Sequence, residues 1–255
     1  VVWNTANPKR IIRLELDGDG DGNVGNTQGT SWVINMDNVS SKYVGFIGSN
    51  VDSKLLGDID FSGLAELKGL DLRDNDSIAG VNVSGLANLN HLFISRNDII
   101  DSLNLSSLPN LLTLHASNCD SLYFLDISNC PRLRRVKAQA WGGSLTTVNV
   151  AGSDSLIHLN IGEGGGATLS SIDLTGKTEL RKFKANRYPS LQTITGLNTC
   201  SKLFALSIAR NNLGGTIDIT AFDTTLMYKF NIRNNGNATT HQGNNHVDSV
   251  LNWMV

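Results

Sequence analysis

The run Asp17-Gly18-Asp19-Gly20-Asp21-Gly22-Asn23 sets three carboxylates and then an amide at every second position of a short glycine-rich stretch. Hard oxygen ligands at loop positions 1, 3 and 5, with glycine at 6, make the first half of a calcium loop. That spacing points to Asp17, Asp19, Asp21 and Asn23 as calcium ligands. Position 12 holds Gln28 where a bidentate glutamate would complete the set, and the segment upstream reads as a strand, not a helix. A calcium site with an unusual last ligand and a solvated acidic turn both fit these residues.

The other reactive side chains do not assemble into a catalytic set, and the chain is expected not to be an enzyme. No Gly-x-Ser-x-Gly elbow occurs, and His91, His115 and His158 fall on outward strand positions with no nucleophile paired to them. Gly162-Glu163-Gly164-Gly165-Gly166 lacks a following Lys-Ser/Thr and reads as a widened turn instead of a phosphate loop. Cys119, Cys130 and Cys200 are too few and too far apart for a zinc site or a disulfide framework. Cys119 and Cys130 each follow an inward leucine by five residues, where other units carry Asn75, Asn97, Asn211 and Asn235. They are expected to fill interior turn positions as small buried thiols.

Positioning of all these residues follows from a period. Apolar pairs one residue apart recur at a step of eleven: Leu70/Leu72, Val81/Val83, Leu92/Ile94, Leu103/Leu105, Leu114/Ala116, Leu125/Ile127 and Val136/Ala138. After a drift of one or two residues the pairs continue to Phe230/Ile232. Self-similarity at a fixed short period is the mark of a solenoid. Alternate units differ, so the true repeat is about 22 residues.

One half of that repeat reads Leu67-x-x-Leu70-x-Leu72-x-x-Asn75, and again Leu89-x-x-Leu92-x-Ile94-x-x-Asn97 and Leu203-x-x-Leu206-x-Ile208-x-x-Asn211. The other half reads Val81-Asn82-Val83-Ser84, Leu103-Asn104-Leu105-Ser106, Leu125-Asp126-Ile127-Ser128 and Ile172-Asp173-Leu174-Thr175. Over residues 11–235 the chain resembles the leucine-rich-repeat family, in the bacterial, internalin-like and Bacteroidetes-type form. The resemblance implies a recognition module more than a catalyst, and it is specific for fold and weak for function.

The expected fold class is mainly β: a leucine-rich-repeat solenoid with short extended segments on both sides and a short C-terminal helix. A half-repeat of eleven residues has too little left beside its strand for a helix of ordinary length. A single elongated domain is expected over 1–255, with residues 1–16 as N-terminal cap and first strand, 17–235 as repeats and 236–255 as C-terminal cap. Apolar residues at helical spacing from His246 to Met254 place the helix there. Trp141 and Tyr188 stand where other units have Asn, so those turns are expected to be remodelled.

Alternation of side chains along a strand separates two outward faces. On the second-type strands the outward residues repeat as Asn82, Asn104, Asp126, Asn149 and Asp173, mostly followed by Ser or Thr at the next outward position. On the first-type strands neighbours differ from one another, and that variable face, expected to be concave, is the better ligand surface. Its candidate residues are Phe46, Asp71, Phe93, His115, Arg135, Lys137, Lys182, Lys184, Lys229 and Arg233. Acidic and aromatic residues fall in the first half and basic ones in the second, so charge is expected to change sign along the array.

Only 17% of residues are charged and the net charge is −2, which gives no global field for nucleic acid. No apolar run reaches membrane-spanning length. The surface rich in Asn, Ser, Thr and Gly suits an extracellular setting, on a bacterial cell or a virion. The expected activity is adhesion to a protein or surface glycan through the variable face. The alternative is a structural protein whose regular Asx/Ser ladder matches ice or a polymer lattice.

Overall fold

The computed structural model describes residues 57–235 apart from 107, 215, 216 and 224, together with the backbone of four short strands ahead of them. Those four form two antiparallel pairs: β1 (Val2–Trp3) with β2 (Ile11–Arg13), and β3 (Thr30–Ser31) with β4 (Ile47–Gly48). The expected C-terminal helix lies outside the described residues.

From β5 (Gly57–Asp60) the chain winds as a solenoid, with strands falling alternately on two sides as far as β18. The succession is β6 (Gly69–Asp71), β7 (Ile78–Asn82), β8 (His91–Phe93), β9 (Ser102–Asn104), β10 (Thr113–His115) and β11 (Phe124–Asp126). It continues through β12 (Arg135–Lys137), β13 (Thr147–Asn149), β14 (His158–Asn160), β15 (Ser171–Asp173), β16 (Lys182–Lys184) and β17 (Thr193–Thr195). Two more, β18 (Ala205–Ser207) and β19 (Lys229–Asn231), close the described array.

The front sheet is parallel and eight-stranded, in the order β6-β8-β10-β12-β14-β16-β18-β19. On the back, β5 pairs with β7, β9-β11-β13 form a group of three and β15 pairs with β17, again all parallel. The strands stack in register: Leu92, Leu114, Val136, Leu159, Phe183 and Leu206 oppose one another along the front. Each is buried, as are their partners two residues on, such as Ile94, Ala116 and Ile161. Further apolar residues at a spacing of three, such as Leu86 and Leu89 between β7 and β8, close each turn over the same core. The sequence period is therefore the physical period of the core, with strands on both sides as expected. The helical content of the described turns is one 3-10 turn at Leu197–Thr199.

Burying every turn would orphan its inward carbonyls, and a side-chain donor answers that cost. Asn97 donates through Nδ2 to the carbonyl of Ile94 at 2.6 Å and to that of Leu72, one repeat earlier, at 2.9 Å. Asn211 does the same to Ile208 and Ala185, each at 2.8 Å. Where the residue is Cys119, the thiol donates to the carbonyl of Ile94 at 3.2 Å. On the back turns the Cys130 thiol reaches Leu105 and the Ser153 hydroxyl reaches Ile127. Burial holds the thiols of Cys119, Cys130 and Cys200 up at about 11, so they are packed donors with little thiolate character.

The residue just before this donor position takes a positive φ in turn after turn: Asp74, Arg96, Asn118, Glu163, Arg187, Arg210 and Asn234. Left-handed backbone turns the chain sharply and throws these side chains outward. Of the two remodelled turns, Tyr188 is buried at the donor position, whereas Trp141 points out and is 66% exposed.

Candidate functional site

Registry of the front strands fixes which side chains meet. Arg135 on β12 stands beside His158 on β14, then Lys182 on β16, Ala205 on β18 and Lys229 on β19. Two residues on, the row reads Lys137, Asn160, Lys184, Ser207 and Asn231. A shallow depression of about 310 Å³ lies over these strands, with Ala205 and Ser207 as part of its floor and Lys182, Lys184, Tyr228 and Lys229 around it. The small, buried side chains of β18 between two lysine-bearing strands leave that hollow.

Six of the sequence candidates thus come together: His115, Arg135, Lys137, Lys182, Lys184 and Lys229. They are not equal. Lys184 is paired with Glu163 at 2.7 Å, and the same carboxylate holds Arg187 at 3.1 Å. Arg135, Lys137, Lys182 and Lys229 have no carboxylate within ion-pair distance among the described residues. Arg233 is exposed just past β19. Burial lowers the titration of His115 and His158, and the neighbouring cations lower it further: Lys137 and Arg73 for the first, Lys182, Arg135 and Arg181 for the second. The fixed positive charge of this face belongs to its lysines and arginines.

At the other end of the described front sheet the acidic candidate Asp71 is covered. Asp71 is only 4% exposed. Its carboxylate accepts from Arg73 Nε at 2.9 Å and Nη2 at 2.7 Å, and the Arg73 guanidinium lies 5.6 Å from the centre of the Phe93 ring. Burial outweighs these partners and raises the titration of Asp71. The residue is a covered member of a stack, not a presented anion. Phe93 packs edge-on to His115 at 5.0 Å and beside His91 at 6.2 Å, forming an aromatic and imidazole strip next to the cationic strands. Phe46 and the calcium candidates Asp17, Asp19, Asp21 and Asn23 lie outside the described residues.

Sequence reasoning passed over an aromatic pair at the edge of the depression. Tyr228 is 65% exposed and stands 5.5 Å from Phe204, while Lys182 Nζ lies 5.5 and 5.8 Å from the Phe204 and Tyr228 ring centres. Both rings precede their strands by one residue, outside the alternation used to choose outward positions. Comparing position 204 with 228, one front strand apart, would have found them.

The back ladder is occupied with its own turns. Oδ1 of Asp60, Asn82, Asn104, Asp126, Asn149 and Asp173 each accepts the N–H two residues on, at 2.8 to 3.2 Å. Rungs also bond to one another: Asn82 donates to Asp60 at 3.0 Å and Thr195 to Asp173 at 2.8 Å. The bonds from Ser62 and from Thr175 hold the carboxyls of Asp60 and Asp173 below the usual range.

No protein-family model and no curated protein matches the chain. Among solved structures it is similar to a leucine-rich-repeat protein of Leptospira interrogans, at 15% identity and a TM-score of 0.32, covering 68% of this chain and 62% of that one. It is also similar to the functional domain of InlJ from Listeria monocytogenes, which includes a cysteine ladder, at 12% identity and a TM-score of 0.26, covering 70% of this chain and 56% of that one. The chain thus spans less than two thirds of the length of either, and superpositions this loose bear on neither partner nor activity. The repeat speaks for itself: Leu67, Leu70 and Leu72 are buried, Asn75 donates back into the turn, and the unit recurs in register along a parallel front sheet. The fold is a solenoid of the leucine-rich-repeat type.

Proposed function

We propose that this chain is a non-enzymatic recognition module that holds an anionic partner, a glycan or a protein, on the cationic half of its front sheet. The observation that carries this reading is the gathering of Arg135, Lys137, Lys182 and Lys229 around one depression with no carboxylate paired to them among the described residues. Like charges so arranged repel one another in the free protein, and an anionic partner relieves that repulsion. A lattice-binding role for the back ladder has less support, because its Oδ1 atoms already accept backbone N–H groups. An extracellular setting, on a cell or virion surface, suits the sparse charge and the Asn/Ser-rich exterior. Calcium held by Asp17, Asp19, Asp21 and Asn23 remains part of the proposal.

The test is an array of glycans and proteins probed with the chain and two variants. Lys137→Glu with Lys229→Glu reverses charge on the front, and both positions are exposed with no carboxylate paired to them among the described residues, so folding is expected to be retained. Asn104→Ala with Asp126→Ala strips two rungs of the back. Binding lost in the first and kept in the second is expected. Loss confined to the second would transfer the function to the ladder.

A further inference from the structure

We infer that the anionic partner is a polysaccharide with an acidic group on every second sugar, lying across the front strands along the solenoid axis. This inference rests on the cationic face as the binding surface. Across the sheet, strands with cations alternate with strands without charge. β12 carries Arg135 and Lys137, β16 carries Lys182 and Lys184, and β19 carries Lys229. Between them β14 carries His158 and Asn160, and β18 carries Ala205 and Ser207. Since neighbouring strands stand about 4.8 Å apart, Arg135, Lys182 and Lys229 form a row with a step of about 9.6 Å.

That step is close to the length of one disaccharide in an extended sugar chain. An acid on alternate sugars meets a cation at each step, while the neutral sugars between pass over His158 or the hollow floored by Ala205 and Ser207. A polymer with an acid on every sugar would set half its charges over strands that offer none. The exposed ring of Tyr228 adds a second, different contact. It stands beside Lys182 and Lys229 in the lining of the depression. Its apolar face can pack on the C–H face of a pyranose ring while its hydroxyl stays wet. An acidic peptide presents carboxylates but no such ring face, so the combination of cation spacing and exposed aromatic favours sugar.

The experiment titrates the full chain by calorimetry with three probes: a hyaluronan hexasaccharide, with a uronate on alternate sugars; a hexagalacturonate, with one on every sugar; and a hexaglutamate peptide. The hyaluronan hexasaccharide is expected to bind at least tenfold more tightly than either of the others. Lys182→Glu is expected to weaken it by more than tenfold, and Tyr228→Ala by several-fold with an unchanged melting temperature. Equal or tighter binding of hexagalacturonate or hexaglutamate, lost on Lys182→Glu, would overturn the alternating-sugar inference and leave the cationic face standing. No binding of any probe, or binding indifferent to Lys182→Glu, would overturn both.

Discussion

The ring of Tyr188 occupies the space a side chain on Gly164 would fill, and its hydroxyl donates to the carbonyl of Ile161. Both residues directly follow a left-handed residue, Arg187 and Glu163. They therefore hold the turn position at which Asn97 and Asn211 donate inward elsewhere. One phenol serves two turns: it fills its own and satisfies the previous one, where glycine has no donor to offer. The glycine-rich stretch around Glu163 is the room this arrangement requires.

Gly164→Ala should accordingly cost about 1–3 kcal/mol through overpacking. Tyr188→Leu should cost a similar amount by leaving a buried carbonyl without a donor, about 1–3 kcal/mol. In the double variant the clash is gone, so the two losses should not add. Denaturant unfolding of the four chains measures this, and additivity within about 0.5 kcal/mol would contradict the contact.

A contrast between two asparagines follows from where their bonds lie. Asn97→Leu takes one of two donors from each of the buried carbonyls of Leu72 and Ile94, which keep Asn75 and the Cys119 thiol, and should destabilise by about 1–3 kcal/mol. Asn104→Ala releases the exposed N–H and hydroxyl of Ser106, which water can satisfy, and should cost about 1 kcal/mol or less. Thermal melts should therefore show the larger loss for Asn97→Leu, although both variants remove an Asn from a regular column. Equal losses would mean that the inward amide is no more important than the outward one.

The solenoid was legible because a core shared by stacked turns must repeat in sequence at the turn length. The two faces were legible too, since alternation along a strand depends only on local geometry. What escaped the sequence depends on neighbours about 22 residues away. Asp71 is covered because Arg73 clasps it and lies against Phe93 of the following repeat. Lys184 is partly neutralised because Glu163, in the preceding turn, is placed by a left-handed backbone. Trp141 shares the register of Tyr188 in the sequence, yet it points outward, with the Arg187 guanidinium 5.2 Å from its ring centre. Nothing local separates an inward aromatic from an outward one at the same register.

The calcium expectation has a direct thermodynamic test. A metal that binds the folded chain and not the unfolded one raises the melting temperature with concentration. Millimolar calcium should do so for the native sequence, and Asp19→Ala should remove the gain. A melting temperature indifferent to calcium would leave Asp17, Asp19 and Asp21 as a solvated acidic turn.

Acidification should act on stability and on binding in opposite directions. Burial and nearby cations lower the titration of His115 and His158 below the ordinary value of 6.5. Between the folded and unfolded values the unfolded chain binds more protons, so the contribution to stability is complete above pH 6.5 and is lost as the pH falls below it. Protonation meanwhile adds positive charge beside Lys137 and Lys182, which an anionic partner would favour. Between pH 7 and 5.5 the melting temperature of the free protein should fall while affinity for a hyaluronan hexasaccharide rises, and His158→Gln should weaken both trends. Imidazole proton shifts followed by NMR should give midpoints below 6.5 in the free protein and higher ones with the sugar bound. Midpoints that do not move on binding would separate these histidines from the ligand surface.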